Sequence, residues 1–367
     1  MLQSLQRIVV KLGSSLLVDE SGRFSQASVT RLANDIAWLG RDAREVLIVS
    51  SGAVAIGCHL LEIDRRRARL DDLQAAAAAG QARLVQAWQE ALAKHQRHAA
   101  QVLLTPDDTE HRRRFLNAKG TLNKLLERGV VPVINENDTV ATDELRYGDN
   151  DRLAARVAQM VMADGLILLS DVTGLFSSDP RRDANAKLIP SLSDVTRETL
   201  AMAGAPGSAH GSGGMRTKLE AAKIARRAGC ITVIASGHGD APLRALAEGA
   251  PKTVVEAEIT PAAARKQWLA GMLELRGELR IDAGAEQAIR SGSSLLPIGV
   301  LSVIGDFRRG DPVAVTCARG NELGRGLVAY AGEEARSIAG AHSDDIERRL
   351  GYRGRPAIIH RDDLVLL

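Results

Sequence analysis

The chain has 367 residues, enough for about two domains, and 48 Lys and Arg against 45 Asp and Glu leave a formal charge of only +3. That balance excludes a protein that coats nucleic acid along its whole length. With 45% hydrophobic and 25% charged residues, general disorder is excluded too. Aromatic residues are only 3%, so aliphatic side chains must fill the core. The 34 glycines exceed the usual share of roughly 7% and point to tight loops against backbone or ligand. Cys58, Cys230 and Cys317 lie far apart, and an odd count argues against a disulfide framework. The opening MLQSLQRIVVKLGSS lacks the apolar stretch of a secretory signal, and runs such as GLILL at 165–169 are too short to span a membrane. The expectation is a cytoplasmic protein without a membrane anchor.

Short runs rich in Val, Ile and Leu recur along the first 240 or so residues, at Ile8–Lys11, Val46–Ser50, Gln101–Leu104, Val130–Ile134, Gly165–Leu169 and Cys230–Ile234. Helical composition fills the gaps at Ser28–Leu39, Leu73–Lys94, Leu116–Arg128, Arg152–Met162 and Thr217–Ala228. Nearly continuous aliphatic strands are buried on both faces, as in a parallel sheet covered by helices. The alternation predicts an α/β fold, an αβα sandwich with a largely parallel central sheet. The alanine run Ala75–Ala79 reads as a tightly packed helix.

The pattern changes after about residue 258. Pro261–Leu273 reads as a helical connector. From Leu275 onward, short Gly-punctuated segments predict a small C-terminal β-rich domain: GELRID, SLLPIGVLSVIGDF, DPVAVTCA, LGRGLVAY and PAIIHRD. One short helix, Ala331–Ile338, interrupts them.

Ligands of open α/β sheets bind at the carboxyl ends of the strands, so the residues that follow each strand carry the functional signal. After the first strand, Lys11 meets Gly13, Ser14 and Ser15. Ammonium, hydroxyls and a glycine-opened backbone suit a phosphate, although a strand-end lysine snorkelling to solvent gives the same pattern. After the second strand, Ser50, Ser51 and Gly52 lead into a helix-like segment, the geometry of an anion site or of a simple N-cap. The fourth strand runs into PVINENDTVA and then YGDNDRLAA. Asn135, Glu136, Asn137, Asp138, Asp149, Asn150 and Asp151 crowd together there, flanking a β-like hairpin. Turn chemistry explains many such clusters. Here they also supply amides and carboxylates that could grip an amino group and a carboxylate, and Asp151 could orient a lysine. Ser170 and Asp171 end the fifth strand, where they could hold a nucleotide or orient a metal through water. In HGSGGMRTKLEAAKIA, Ser212, Gly213, Gly214, Met215, Arg216, Thr217 and Lys218 open a helix as a phosphate cradle. Neither a Walker A loop nor GxGxxG is present.

Taken in order, VVKLGSS, VSSGAVAIG, NENDTV, GDND, LLSDVTGLF and GSGGMRTK resemble the glutamate 5-kinases of the amino-acid kinase superfamily. The resemblance runs nearly end to end, and the tail resembles a PUA domain. It implies an amino-acid kinase domain at 1–258, a linker at 259–274 and a PUA-like domain at 275–367. It further implies ATP and Mg²⁺, and L-glutamate as the phosphoryl acceptor in the first step of proline synthesis. Feedback inhibition by proline, a homo-oligomer in the form of a tetramer, and a glutamyl-phosphate reductase that takes the product also follow from it. Matched by motif, Lys11 and Lys218 contact the ATP phosphates and Asp151 organises them. Ser51, Gly52, Asp138 and Asn150 bind glutamate, with Asn135 and Asp149 nearby. Ser170, Asp171 and Ser212–Lys218 bind ATP. Ser170 and Ser212 stand where the family more usually has threonine, and both keep a hydroxyl. PUA domains in general often contact RNA, and Arg276, Arg280, Arg308, Arg309, Arg319 and Arg325 could form a basic face. The acids Asp282, Glu286, Asp306 and Asp311, and the scarcity of aromatics, argue against RNA binding as the main function.

Overall fold

The aliphatic runs of the first half join into one sheet. The computed structural model describes residues 2–19, 23–140, 150–180, 182–203, 214–270 and 274–367. Its first unit, residues 1–261, holds strands β1 (Arg7–Leu12), β2 (Glu45–Ser50), β3 (Ala99–Leu104), β4 (Val131–Glu136), β5 (Gly165–Ser170), β6 (Ser191–Leu192), β7 (Ile231–Ser236) and β8 (Thr253–Val255). The sheet order is β3-β4-β2-β1-β5-β7-β8-β6. Every pairing is parallel except β7 with β8.

Helices α1 (Gln26–Leu39), α2 (Ala53–Leu60), α3 (Leu70–Ala93), α4 (Pro106–Glu110), α5 (Arg112–Glu127), α6 (Asn150–Val161), α7 (Arg197–Met202), α8 (Met215–Arg227) and α9 (Pro242–Ala247) accompany the sheet. Period-two alternation divides the strand side chains between its two faces. Ile8, Val10, Leu12, Ile48 and Ile167 pack with Leu32, Ile36, Ile56, Leu84, Trp88 and Leu243 from α1, α2, α3 and α9. Val9, Leu47, Val49, Leu166 and Leu168 pack with Leu122, Leu126, Val157, Met160 and Leu219 from α5, α6 and α8. This is the expected αβα sandwich.

The alanine run belongs to the closest helix contact. A Cβ on Gly57 of α2 would lie 1.7 Å from the Ala76 carbonyl oxygen of α3, and one on Gly80 of α3 would lie 1.9 Å from that of Ala53. Only glycine permits such an approach, which sets α3 directly against the turn that begins α2.

The expected elements are present with shifted ends. The fourth strand was expected to stop at Ile134. It continues to Glu136 because the ladder to β3 extends to Leu103↔Asn135 and Leu104↔Glu136. Asn135 is therefore a buried strand residue rather than a loop residue. The β-like hairpin between the two Asn/Asp clusters falls on residues outside those described.

In the second unit, residues 262–367, most of the connector is helix α10 (Pro261–Ala270). Strands β9 (Gly277–Ile281), β10 (Val300–Ile304), β11 (Pro312–Thr316), β12 (Glu322–Leu327) and β13 (Leu364–Leu366) form a sheet in the order β10-β9-β11-β12-β13. The last strand is not PAIIHRD. Of that segment Ile359 makes an isolated bridge to Leu295, and β13 follows it, pairing with β12. Helices α11 (Ala283–Arg290) and α13 (Ile346–Leu350) join α12 (Gly332–Ile338). Asp282 starts α11 by accepting the Ala285 N–H at 2.7 Å. Three of the six arginines of the supposed basic face have acidic partners here. Arg276 pairs with Glu274 at 3.3 Å, Arg280 with Glu278 at 3.3 Å and Arg325 with Glu322 at 2.7 Å. Among the described residues no helix is long and apolar enough to cross a membrane, and all three cysteines are free.

Candidate active site

Strand order places the carboxyl ends of β4, β2, β1 and β5 side by side, where an open α/β sheet offers its ligand crevice. Three helices begin at the residues gathered there. Gly52 caps α2 at φ +105°, a left-handed conformation natural to glycine. Asn150 and Asp151 open α6, and Gly214 caps α8. Helix N-termini present unpaired N–H groups and positive dipole ends, so this rim favours anions.

At the centre is Asp151. It is fully buried and touches two lysines from different elements. Its Oδ1 lies 2.6 Å from Lys11 Nζ of β1, and its Oδ2 lies 3.1 Å from Lys218 Nζ of α8. The Thr217 hydroxyl lies 2.9 Å both from the same Oδ2 and from the Gly214 carbonyl oxygen, linking the first turn of α8 to the bridge. Lys11 is 6% exposed and Lys218 3%, so neither lysine snorkels to solvent. Burial pushes the Asp151 carboxyl up, but the two ammonium charges and hydrogen bonds from Lys11 and Thr217 outweigh it and hold the group at about 2. The trio itself, two ammonium groups on one carboxylate, carries a net positive charge.

Beside this charged corner lies a neutral one. Asn150 Nδ2 donates to Ser51 Oγ at 2.9 Å, to Asn135 Oδ1 at 3.0 Å and to the Ser50 carbonyl at 3.3 Å. Asn135 Nδ2 in turn donates to Gln81 Oε1 of α3 at 2.8 Å. Asp138 follows β4 in a short 3-10 turn, and burial pushes its carboxyl up to about 6.

The remaining expected residues are placed as follows. The Ser170 carbonyl accepts from the Gly237 N–H at 2.8 Å, while the Gly13 N–H donates to the Leu169 carbonyl at 3.0 Å. These bonds tie the loops after β1 and β7 to the end of β5. Asp171 is exposed. Met215 packs against the helix layer that holds α6. Among the described cradle residues, Arg216 pairs along its own helix with Glu220 at 3.1 Å. Asp149, Ser212 and Gly213 lie outside the described residues.

An amino acid kinase family model matches residues 6–236, and a PUA domain model matches residues 277–350. A glutamate 5-kinase of Paramagnetospirillum magneticum is 53% identical over 366 residues, covering 100% of this chain and 99% of that one. Those of Rhodopseudomonas palustris strain BisB5 and of Rhodospirillum rubrum are each 54% identical, covering 100% and 98% of this chain and 97% and 96% of their own. The chain belongs to the glutamate 5-kinase family. In this family member the charged corner is built from residues that the sequence motifs already single out. The neutral corner contains one they do not, Gln81. Its signal is faint but real: it lies on the buried stripe of α3 with Ala77, Leu84 and Trp88, where a polar side chain needs a partner.

Proposed function

We propose that the chain transfers the γ-phosphoryl group of ATP to the side-chain carboxylate of L-glutamate, giving L-glutamyl 5-phosphate and ADP, the first step toward proline. The observation that carries this reading is the buried Lys11–Asp151–Lys218 bridge beside the Asn150–Asn135–Ser51 cluster. A carboxylate oxygen of glutamate bonds to the γ-phosphorus as the bond to the bridging oxygen breaks and ADP departs. The nucleophile, with an ordinary pKa of about 4.3, is already ionised at pH 7, so no general base is needed. The obstacle is bringing an anion up to a polyanion. Lys11 and Lys218 supply the opposing charge, and Asp151 fixes both ammonium groups in advance, so little reorganisation is left for the transition state. Mg²⁺ enters as part of the MgATP substrate, held by phosphate oxygens.

In this reading Ser170, Asp171 and Ser212–Lys218 bind the nucleotide. Ser51, Gly52, Asp138 and Asn150 bind glutamate, with Asn135 and Asp149 beside them. Residues 1–258 carry the reaction, 259–274 link, and 275–367 form the appended PUA-like domain. Feedback by proline, a tetrameric homo-oligomer, a cytoplasmic location and transfer of the labile acyl phosphate to a glutamyl-phosphate reductase belong to the same proposal by family resemblance. Proline carries the ammonium and carboxylate of an amino-acid head group, which suits it to the cluster that binds glutamate.

The test is ADP release from MgATP with L-glutamate, L-aspartate or no acceptor, with hydroxylamine as trap. Turnover that depends on glutamate and yields γ-glutamyl hydroxamate is expected. A folded chain with no glutamate dependence overturns the reading.

A further inference from the structure

We propose that Gln81 is a positioning residue that fixes the direction of the Asn135 and Asn150 carboxamides, and so presents Asn150 Oδ1 as acceptor for the α-ammonium group of the substrate. The inference deepens the glutamate reading and rests on it. The argument starts from one backbone atom. The Ser50 carbonyl can only accept, so the Asn150 atom 3.3 Å from it must be the amide nitrogen. The same nitrogen faces Asn135 Oδ1 at 3.0 Å, which turns Asn135 Nδ2 toward α3. There Gln81 meets it with Oε1 at 2.8 Å. Each link then has one direction of donation, with Ser50 holding one end and Gln81 the other.

Two atoms remain without a partner among the described residues, Asn150 Oδ1 and Gln81 Nε2, and both are buried. A buried acceptor left empty is costly, and a ligand donor is what relieves it. At neutral pH glutamate has one donor group. Both carboxylates only accept, so the acceptor on Asn150 selects the ammonium end. Gln81 is rigidly placed for this task. Its neighbour Gly80 abuts the Ala53 carbonyl so closely that a Cβ would lie 1.9 Å away, which locks α3 against the Ser51–Gly52 turn. Without the Gln81 acceptor, Asn135 Nδ2 becomes a buried donor with no partner. Turning that amide over only exchanges the empty donor for an empty acceptor and sets two donors against each other at Asn150, so the Asn135–Asn150 link is weakened in either orientation.

The experiment uses the full chain with Gln81→Met, which removes the acceptor at similar length, and Gln81→Glu, which keeps an acceptor oxygen. The readouts are the KM for L-glutamate, the KM for MgATP, the thermal midpoint and the inhibition constant of glutarate. Glutarate has both carboxylates and no ammonium. Gln81→Met is expected to raise the glutamate KM about tenfold, the scale of one hydrogen bond to a charged group. The glutarate constant and the MgATP KM stay within about twofold, and Gln81→Glu retains most of the glutamate affinity. A folded Gln81→Met with unchanged glutamate KM, or with glutamate and glutarate weakened alike, overturns the proposal. Should that variant not fold, Asn135→Leu cuts the same chain one link on and carries the same expectation. A wild-type chain with no glutamate-dependent turnover is a separate result, and it removes the glutamate reading itself.

Discussion

The two corners of the site solve recognition by opposite means. The corner around Asp151 is built on charge: two ammonium groups share one carboxylate that burial alone would neutralise. Along the Ser50–Asn150–Asn135–Gln81 chain the hydrogen-bonding groups are neutral, and direction of donation replaces charge. In the proposed reaction the contrast fits what each corner would meet. A polyanion in transfer needs net positive charge held rigid, because charge develops and moves during the step. A zwitterion that only has to be held is distinguished better by donors and acceptors of fixed direction, since an unpaired buried polar atom penalises the wrong end.

The comparison breaks most sharply at Asp151. Asp151→Asn leaves two buried ammonium groups without their shared counter-charge, so the folded state is expected to lose about 3–5 kcal/mol, measured by denaturant unfolding. A loss below about 1 kcal/mol means the bridge is not structural. Next in size, Lys218→Ala is expected to lower kcat by about 10²-fold or more, the scale of losing one transition-state donor. Its glutamate KM should change little. On the neutral side, Asn150→Ala is expected to raise the glutamate KM about tenfold while leaving the MgATP KM within about twofold.

The pH dependence separates the corners again. Asp151 is held at about 2 against an ordinary 3.8. With the folded value below the unfolded one, its stabilisation of about 2 kcal/mol is complete above the unfolded pKa and is lost as pH falls toward 2. Acid unfolding that is steep in that window in the wild type, and shallower in Asp151→Asn, is the expected readout. Asp138 runs the other way. Burial lifts it to about 6, so its contribution to stability is lost as pH rises from the unfolded pKa through 6. Glutamate kcat/KM is expected to fall as pH drops below about 6, where Asp138 takes up a proton. A profile flat to pH 5 removes Asp138 from the binding step.

What was legible in the sequence follows the same division. Lys11, Asp151 and Lys218 stand out because charged residues at strand ends and helix starts are conspicuous against aliphatic neighbours. Gln81 was hidden in an alanine-rich helix, where its buried register with Leu84 and Trp88 outweighs its polarity by eye. Asn135 was read as the start of a loop because the apolar run stops at Ile134, yet hydrogen bonds to β3 carry the strand onward. Ladder pairing is a property of the neighbouring strand, so no pattern in the segment itself announces it. The short strands β6 and β8 carry too few residues for any periodicity. Arg216 sits among the cradle residues and also has an i,i+4 partner on its own helix, Glu220 at 3.1 Å. In the second unit, PAIIHRD has strand composition but forms an isolated bridge rather than a strand, and β13 lies just beyond it.

The most direct measurement is a pair of initial-rate surfaces over L-glutamate and MgATP, with hydroxamate as product, for Lys218→Ala and Asn150→Ala side by side. The account predicts that Lys218→Ala loses kcat with an intact glutamate KM, and that Asn150→Ala loses glutamate affinity with an intact MgATP KM. The same pattern of losses in both variants would contradict a site divided into a charged transfer corner and a neutral recognition corner.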